Sequence, residues 1–287
     1  MFRYPTFLTA AFAALALAFT STAASYAQDA PSGSRIEARA IHNDALNADM
    51  RYVVYTPAGY ADSDESYPVL YLLHGYSDDE KTWSSDEKGR MQGICDKYFE
   101  EHPDRKRIIV MPDGRVTWYR NAFEGPDQYE TFFFENFIPA VEKEYRIKAD
   151  REHRAIAGLS MGGYGTLLYA LHHPDVFSAA YAMSPAVMVG QQRQRRPDGI
   201  SDEKFAEMTK KAENDDVVLQ LEKLEDKSAV RFTIDCGDDD FCLDGAYRFF
   251  QTAKRLKVPC ELRVRDGVHS WDYWRVSLPL ALDFFSK

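Results

Sequence analysis

The 287-residue sequence lacks the basic surplus that a nucleic-acid or anionic-membrane partner would require. Its 35 Lys and Arg stand against 45 Asp and Glu, a formal net charge of −10, whereas both polyanions select basic faces. Cysteine is scarce, four in all, with no CxxC pair and no histidines close by, which argues against a zinc site. Beyond the first residues, no apolar run approaches the roughly 20 residues that a membrane-spanning helix needs. Internal repeats and a convincing boundary for a second domain are also missing. What is present is 45% hydrophobic and 14% aromatic residues, a composition that buries a substantial core.

The opening stretch stands apart. Arg3 is the only charge before Asp29, an apolar run extends from Phe7 to Phe19, and Ser25-Tyr26-Ala27 places small residues where a signal peptidase reads. Basic start, short apolar run and small-x-small site together describe a secretory signal peptide. Residues 1–27 are expected to be cleaved, leaving residues 28–287 secreted or periplasmic and free of the membrane. No Cys lies near the cleavage site to carry a lipid anchor. Losing the one positive charge of Arg3 takes the net charge from −10 to −11. Export would put Cys95, Cys236, Cys242 and Cys260 where disulfides persist. Two readings stay open: bridges Cys236–Cys242 and Cys95–Cys260, or four buried thiols.

Along the rest of the chain, short apolar runs recur at 36–41, 50–56, 67–73, 107–111, 154–158, 177–183, 230–235 and 261–265. Several are continuous rather than alternating, as expected of strands buried on both faces of a largely parallel sheet. Helical patterns fall between them, at 84–101, 129–145, 161–172, 245–256 and 271–285. Strand–helix alternation is the signature of an α/β sheet, which places reactive groups just beyond the carboxyl ends of its strands. Residues 190–228 break the rhythm. This polar segment opens on Gln191-Gln-Arg-Gln-Arg-Arg196, continues as a Lys/Glu-rich helical stretch and reads as an insertion over the sheet's carboxyl edge.

The strongest local signal is Gly158-Leu159-Ser160-Met161-Gly162-Gly163, set between a strand-like run and a helix. A nucleophilic serine must project from a sharp, strained strand-to-helix turn, and glycines two before and two after let neighbouring backbone pass. Serine needs a base to accept its proton. In this arrangement the chain order is Ser, acid, His, and only His269 of the seven histidines lies beyond position 173. The acid should follow the run 230–235, which leaves Asp238, Asp239 and Asp240; Asp235 still belongs to the strand. Backbone N–H donors for a developing oxyanion are expected at Met161, directly after the nucleophile, and at Tyr76 in the loop His74-Gly75-Tyr76-Ser77. His74 precedes the serine and is read as holding that loop.

These motifs resemble the esterase D-type branch of the α/β hydrolases, which includes S-formylglutathione hydrolases, tributyrin-type, feruloyl and acetyl-xylan esterases, and mycolyltransferases. The resemblance is carried by Leu72-Leu-His-Gly75, Met111-Pro-Asp-Gly114 with Trp118-Tyr119, Tyr129-Glu-Thr131 leading to Ile138-Pro139, and the elbow continuing to Tyr164-Gly165. It extends through Gly237–Phe241 and His269–Trp274, covering roughly residues 40–285. It implies an α/β-hydrolase fold and, because the G-x-x-D-[FL] pattern falls on Gly237–Phe241, Asp240 as the acid. It also implies that Asp113, Trp118 and Tyr119 line the pocket. Trp83 and Trp271 join Trp118 and Tyr119 as rings that either stack on a sugar or phenol or belong to the core.

The resulting expectation is a serine carboxylesterase acting through an acyl-enzyme on short-chain acetyl or feruloyl-type esters. Its substrate would be a small-molecule or carbohydrate-linked ester, with no metal or organic cofactor. The rivals are an acyltransferase using the same three residues with a sugar or alcohol acceptor, and a non-catalytic carbohydrate-binding homologue.

Overall fold

In the computed structural model, residues 33–187 and 199–287 are described. The expected signal peptide and the Gln191–Arg196 run lie outside them. Eight strands form one sheet: β1 (Arg35–Asn43), β2 (Ala48–Thr56), β3 (Val69–Leu73), β4 (Ile108–Pro112), β5 (Arg154–Leu159), β6 (Ala179–Met183), β7 (Arg231–Gly237) and β8 (Cys260–Arg265). Their order across the sheet is β1-β2-β4-β3-β5-β6-β7-β8. β1 pairs antiparallel with β2, and β2 antiparallel with β4, while β4, β3, β5, β6, β7 and β8 all run parallel.

The continuous apolar runs have the expected cause. Every residue of β3, β4 and β6 is buried. Because successive side chains point to opposite faces, Val69, Tyr71 and Leu73 of β3 enter one core layer and Leu70 and Leu72 the other. The first layer also holds Phe133, Tyr169, Phe232 and Phe249. The second holds Trp83, Cys95, Tyr181, Leu278 and Phe284.

The helices are α1 (Met91–Glu101), α2 (Tyr129–Phe132), α3 (Ile138–Glu144), α4 (Met161–His172), α5 (Asp202–Asn214), α6 (Val217–Lys223), α7 (Leu243–Leu256) and α8 (Trp271–Phe284), and all but α5 bury residues against these layers. Two depart from the pattern read in the sequence. The helix expected from Ser84 starts only at Met91, after a left-handed Arg90 (φ 51°). The run 129–145 is interrupted by a π-turn at Phe133–Phe137, between α2 and α3. The 190–228 insertion supplies α5 and α6. Ser201 caps α5 by accepting from the Lys204 N–H at 3.2 Å, and Asp216 caps α6 by accepting from the Val218 N–H at 2.9 Å, as side-chain oxygens do at helix starts. No helix among the described residues is long and apolar enough to cross a membrane.

Candidate active site

Ser160 stands between β5 and α4 with φ 55° and ψ −114°, a region that non-glycine residues occupy only when their surroundings force them there. Three hydrogen bonds supply the force. The Ser160 N–H donates to the Met183 carbonyl at 2.9 Å, and the Ser160 carbonyl accepts from the Tyr164 and Ala186 N–H groups, each at 3.0 Å. The flanking glycines are needed for space. A Cβ at Gly158 would meet the Gly162 carbonyl oxygen at 2.5 Å, and one at Gly162 would meet the His74 carbonyl oxygen at 2.5 Å.

His269 follows β8, and its Nε2 lies 3.0 Å from Ser160 Oγ. Its Nδ1 lies 2.9 and 3.0 Å from the two oxygens of Asp240. A carboxylate only accepts, so Nδ1 carries the proton and donates to Asp240, leaving Nε2 free to accept from the serine hydroxyl. Three residues far apart in sequence thus meet above one edge of the sheet. Of the three adjacent carboxylates, Asp238 and Asp239 are exposed, while Asp240 is buried and is the one beside His269. Burial alone would raise the Asp240 carboxyl, but the His269 ring and the Cys242 N–H (2.8 Å) outweigh it and hold the carboxyl below its usual range. Asp235, still on β7, is wholly buried and accepts from Tyr181 and Tyr273 hydroxyls at 2.6 Å each, with Arg265 beside it.

The loop that follows β3 is held by His74, as expected. Buried His74 donates from Nδ1 to the Gly75 carbonyl at 2.8 Å, and its Nε2 accepts from the Gly114 N–H at 2.8 Å. That pattern makes it a neutral brace rather than a base. Neither the Tyr76 nor the Met161 N–H has an acceptor among the described residues, leaving both amides open at the elbow.

The aromatic expectations divide. Trp118 is half-buried, lies 5.8 Å edge-on to Tyr164 and lines a cleft of about 500 Å³. Tyr119 is corrected: its ring is 0% exposed, so no ester can touch it. Its hydroxyl accepts from the His74 N–H at 2.9 Å and donates to the His74 carbonyl at 3.1 Å, clamping that peptide from behind. Asp113 is likewise buried, beside Arg51 at 2.8 Å, rather than on the cleft wall. Trp271 packs edge-on against Trp83 at 5.1 Å and Trp274 at 5.3 Å, so its ring serves largely in packing.

Sequence reasoning gave no role to three residues that touch the relay. Phe241, 78% exposed, lies 4.4 Å from the His269 ring. Trp274 meets that ring edge-on at 4.8 Å and donates from Nε1 to the Ser184 hydroxyl at 3.0 Å. Phe241 and Trp274 sit inside motifs already singled out, so their positions beside the acid and base were the available signal. For Ser184 no signal existed beyond its place after β6.

All four cysteines are free thiols. Cys95 belongs to one core layer and Cys260 packs against the other, so the structure follows the four-thiol reading. The Cys242 sulfur, the Asp240 carboxylate and the His269 ring lie within 4.8 Å of one another. Burial pushes the Cys242 thiol up, and both imidazole nitrogens already face Asp240 and Ser160, a donor set arranged for proton transfer.

A mostly parallel sheet of this strand order, with a strained serine between β5 and α4, defines an α/β hydrolase. The chain belongs to the family described as "Putative esterase", whose family model matches residues 43–285, in accord with the esterase resemblance of its motifs. A solved ferulic acid esterase is 34% identical, with a TM-score of 0.76 over 88% of this chain and 98% of that one. Esterase MT1326 of Mycobacterium tuberculosis (strain CDC 1551 / Oshkosh) is 38% identical over 135 residues, 46% of this chain, but the match spans only 28% of that protein's length. The acetyl esterase of Caldicellulosiruptor saccharolyticus is 26% identical over 235 residues, covering 78% of this chain and 85% of that one.

Proposed function

We propose that this chain is an exported serine carboxylesterase that cleaves short-chain acyl or feruloyl-type esters of small molecules or carbohydrates through an acyl-enzyme. The observation that carries the reading is the continuous line from Asp240 through His269 to Ser160 Oγ, closed by contacts of 2.9 and 3.0 Å. Ser160 Oγ attacks the ester carbonyl while its proton passes to His269 Nε2. The Asp240 carboxylate orients the ring and stabilises the imidazolium. The Tyr76 and Met161 amides receive the oxyanion, each donor contributing about 2.7–4 kcal/mol at the transition state. As the tetrahedral adduct collapses, His269 returns the proton to the departing alcohol. Water then repeats the sequence, releasing the acid and regenerating Ser160. Likeness to a ferulic acid esterase and an acetyl esterase supports the acyl classes named. The signal-like residues 1–27 support export.

The test combines a fluorophosphonate probe with a panel of 4-nitrophenyl acyl esters and methyl ferulate. Labelling of the folded protein that disappears in Ser160→Ala, together with turnover of at least one ester, is expected. Absence of labelling together with flat rates across the panel would reject the reading.

A further inference from the structure

The cleft lined by Trp118 does not include Ser160 among its lining residues, but Trp118 meets rings that neighbour the serine's elbow and the loop after β3. Trp118 lies 6.2 Å from the ring of Tyr76 and 5.8 Å from that of Tyr164, one helical turn beyond the serine. Loop 116–127 forms one wall and the last turns of α5 the other. The aromatic part of the lining is Trp118, Phe123 and Tyr164; the charged part includes Arg120, Lys211 and Asp215.

This loop is built to present its side chains. Arg115, Trp118 and Tyr119 all take left-handed φ angles, of 47°, 58° and 57°, a conformation that persists only where surrounding contacts over-determine it. Tyr119, clamped on the His74 peptide, supplies that constraint and turns Trp118 outward into the cleft.

The charged lining is two cations, Arg120 and Lys211, against two carboxylates, Asp127 and Asp215. Asp215, itself 3% exposed, receives both Lys211 and Arg120, the latter at 3.4 Å. Asp127 is matched separately by Arg115 at 2.5 Å. Arg115, outside the lining, takes up Asp127, so Arg120 and Lys211 share the single carboxylate of Asp215, and the Arg120 guanidinium has four further N–H donors beyond the one directed at Asp215.

We infer that this cleft is a binding subsite for a carboxylate-bearing ring of the ester substrate, stacked on Trp118 and read by Arg120 and Lys211. A uronic-acid residue on the alcohol side or an acid-bearing acyl group would supply the same chemistry. Neutral esters reach Ser160 without using it. The inference rests on the esterase reading for its kinetics but not for its binding.

Two matched substrate pairs separate the sources. On the alcohol side, acetylated methyl glucopyranosiduronic acid is compared with acetylated methyl glucopyranoside; on the acyl side, the 4-nitrophenyl monoester of glutaric acid with 4-nitrophenyl valerate. One anionic member should exceed its neutral partner about tenfold in kcat/KM, the worth of a single charge-assisted contact. The preference should vanish in the Arg120→Ala/Lys211→Ala double variant while 4-nitrophenyl acetate turnover stays within twofold. Calorimetric titration of Ser160→Ala protein with methyl glucuronate, glutarate and methyl glucoside gives an arm independent of catalysis. An anion should bind, and Trp118→Ala should weaken it. Equal kcat/KM within both pairs overturns the inference, as does an anion preference that survives the double variant, or no anion binding in the titration. Failure of all ester turnover with anion binding intact would instead reject the esterase reading and leave the subsite standing.

Discussion

The sheet edge that bears Ser160, Asp240 and His269 and the α5 wall of the cleft are held by opposite means. Ser160 and Asp240 project from loops seated on the buried strands β5 and β7, and His269 from the loop after the half-exposed β8, with glycines that admit no Cβ and carbonyls that are already committed. Helix α5, by contrast, has no buried residue in 13 positions. Its C-terminal end is tied down by polar contacts: the Asn214 carbonyl accepts from His172 at 2.9 Å, the Asp215 carbonyl from the Tyr164 hydroxyl at 2.6 Å, and the Asp215 side chain receives Lys211 and Arg120. Packing of apolar surface carries no titrating group, whereas such polar contacts respond to pH and are screened by salt. The chemistry therefore has a rigid frame and the recognition wall an adjustable one.

The sharpest way to break this contrast is to disable the relay without touching the frame. Ser160→Ala should lower kcat on the order of a million-fold, and Asp240→Asn about ten-thousand-fold, with melting temperatures changed little. Equal, modest losses in both would mean that the three groups do not act as one relay. Tyr119→Phe attacks the frame instead. It leaves the buried His74 N–H without its acceptor, which should lower stability by about 1–3 kcal/mol. It should also reduce kcat about tenfold with KM nearly unchanged, measured by thermal denaturation and 4-nitrophenyl acetate kinetics. Wild-type behaviour would show that the clamp on the loop after β3 is dispensable.

The smallest expected effect concerns the α5 wall. His172 faces Glu130 of α2 at 2.7 Å through Nδ1 and the Asn214 carbonyl through Nε2. Both are acceptors, so the ring must donate twice and is an imidazolium. His173 also reaches Glu130, at 3.2 Å, and Asp215 lies close by. Burial would lower the His172 pKa, but Glu130 and the Asn214 carbonyl raise it above its ordinary 6.5. Its stabilisation is thus complete below pH 6.5 and disappears as pH climbs through the raised value. Burial would raise Glu130, yet the two histidines hold it at about 2. Its share is present above pH 4.5 and fades as pH falls toward 2. Hydrogen-exchange protection of residues 202–214 should therefore peak between about pH 4.5 and 6.5 and fall on the alkaline side, while the β5 and β7 amides stay protected. A flat profile for α5, or one unchanged in His172→Gln, would remove the contrast.

The same division explains what could be read from the sequence. Continuous apolar runs announced the strands because burial on both faces leaves no polar alternation. The elbow was legible because its glycines answer local steric demands. Asp240 needed the G-x-x-D-[FL] pattern, since three adjacent carboxylates differ only in burial. The role of Tyr119 was misread, because which way a ring turns depends on left-handed backbone angles that no residue type there advertises. The Glu130–His172–Asn214 tie was invisible, being assembled from positions 42 apart and belonging to no motif. The π-turn at Phe133–Phe137 follows a phenylalanine-rich stretch whose helical pattern gives no sign of the extra residue per turn.

The margins of the sheet carry a further consequence. An outermost strand offers unpaired peptide groups on which a second chain can lengthen the ladder. β1 and β8 hold those places, and each interleaves ionic side chains along its length: Arg35, Glu37 and Arg39 on one, Glu261, Arg263 and Arg265 on the other. Docking a foreign ribbon there would strip water from those charges. Crowded solutions should thus find little on either margin to template fibril growth.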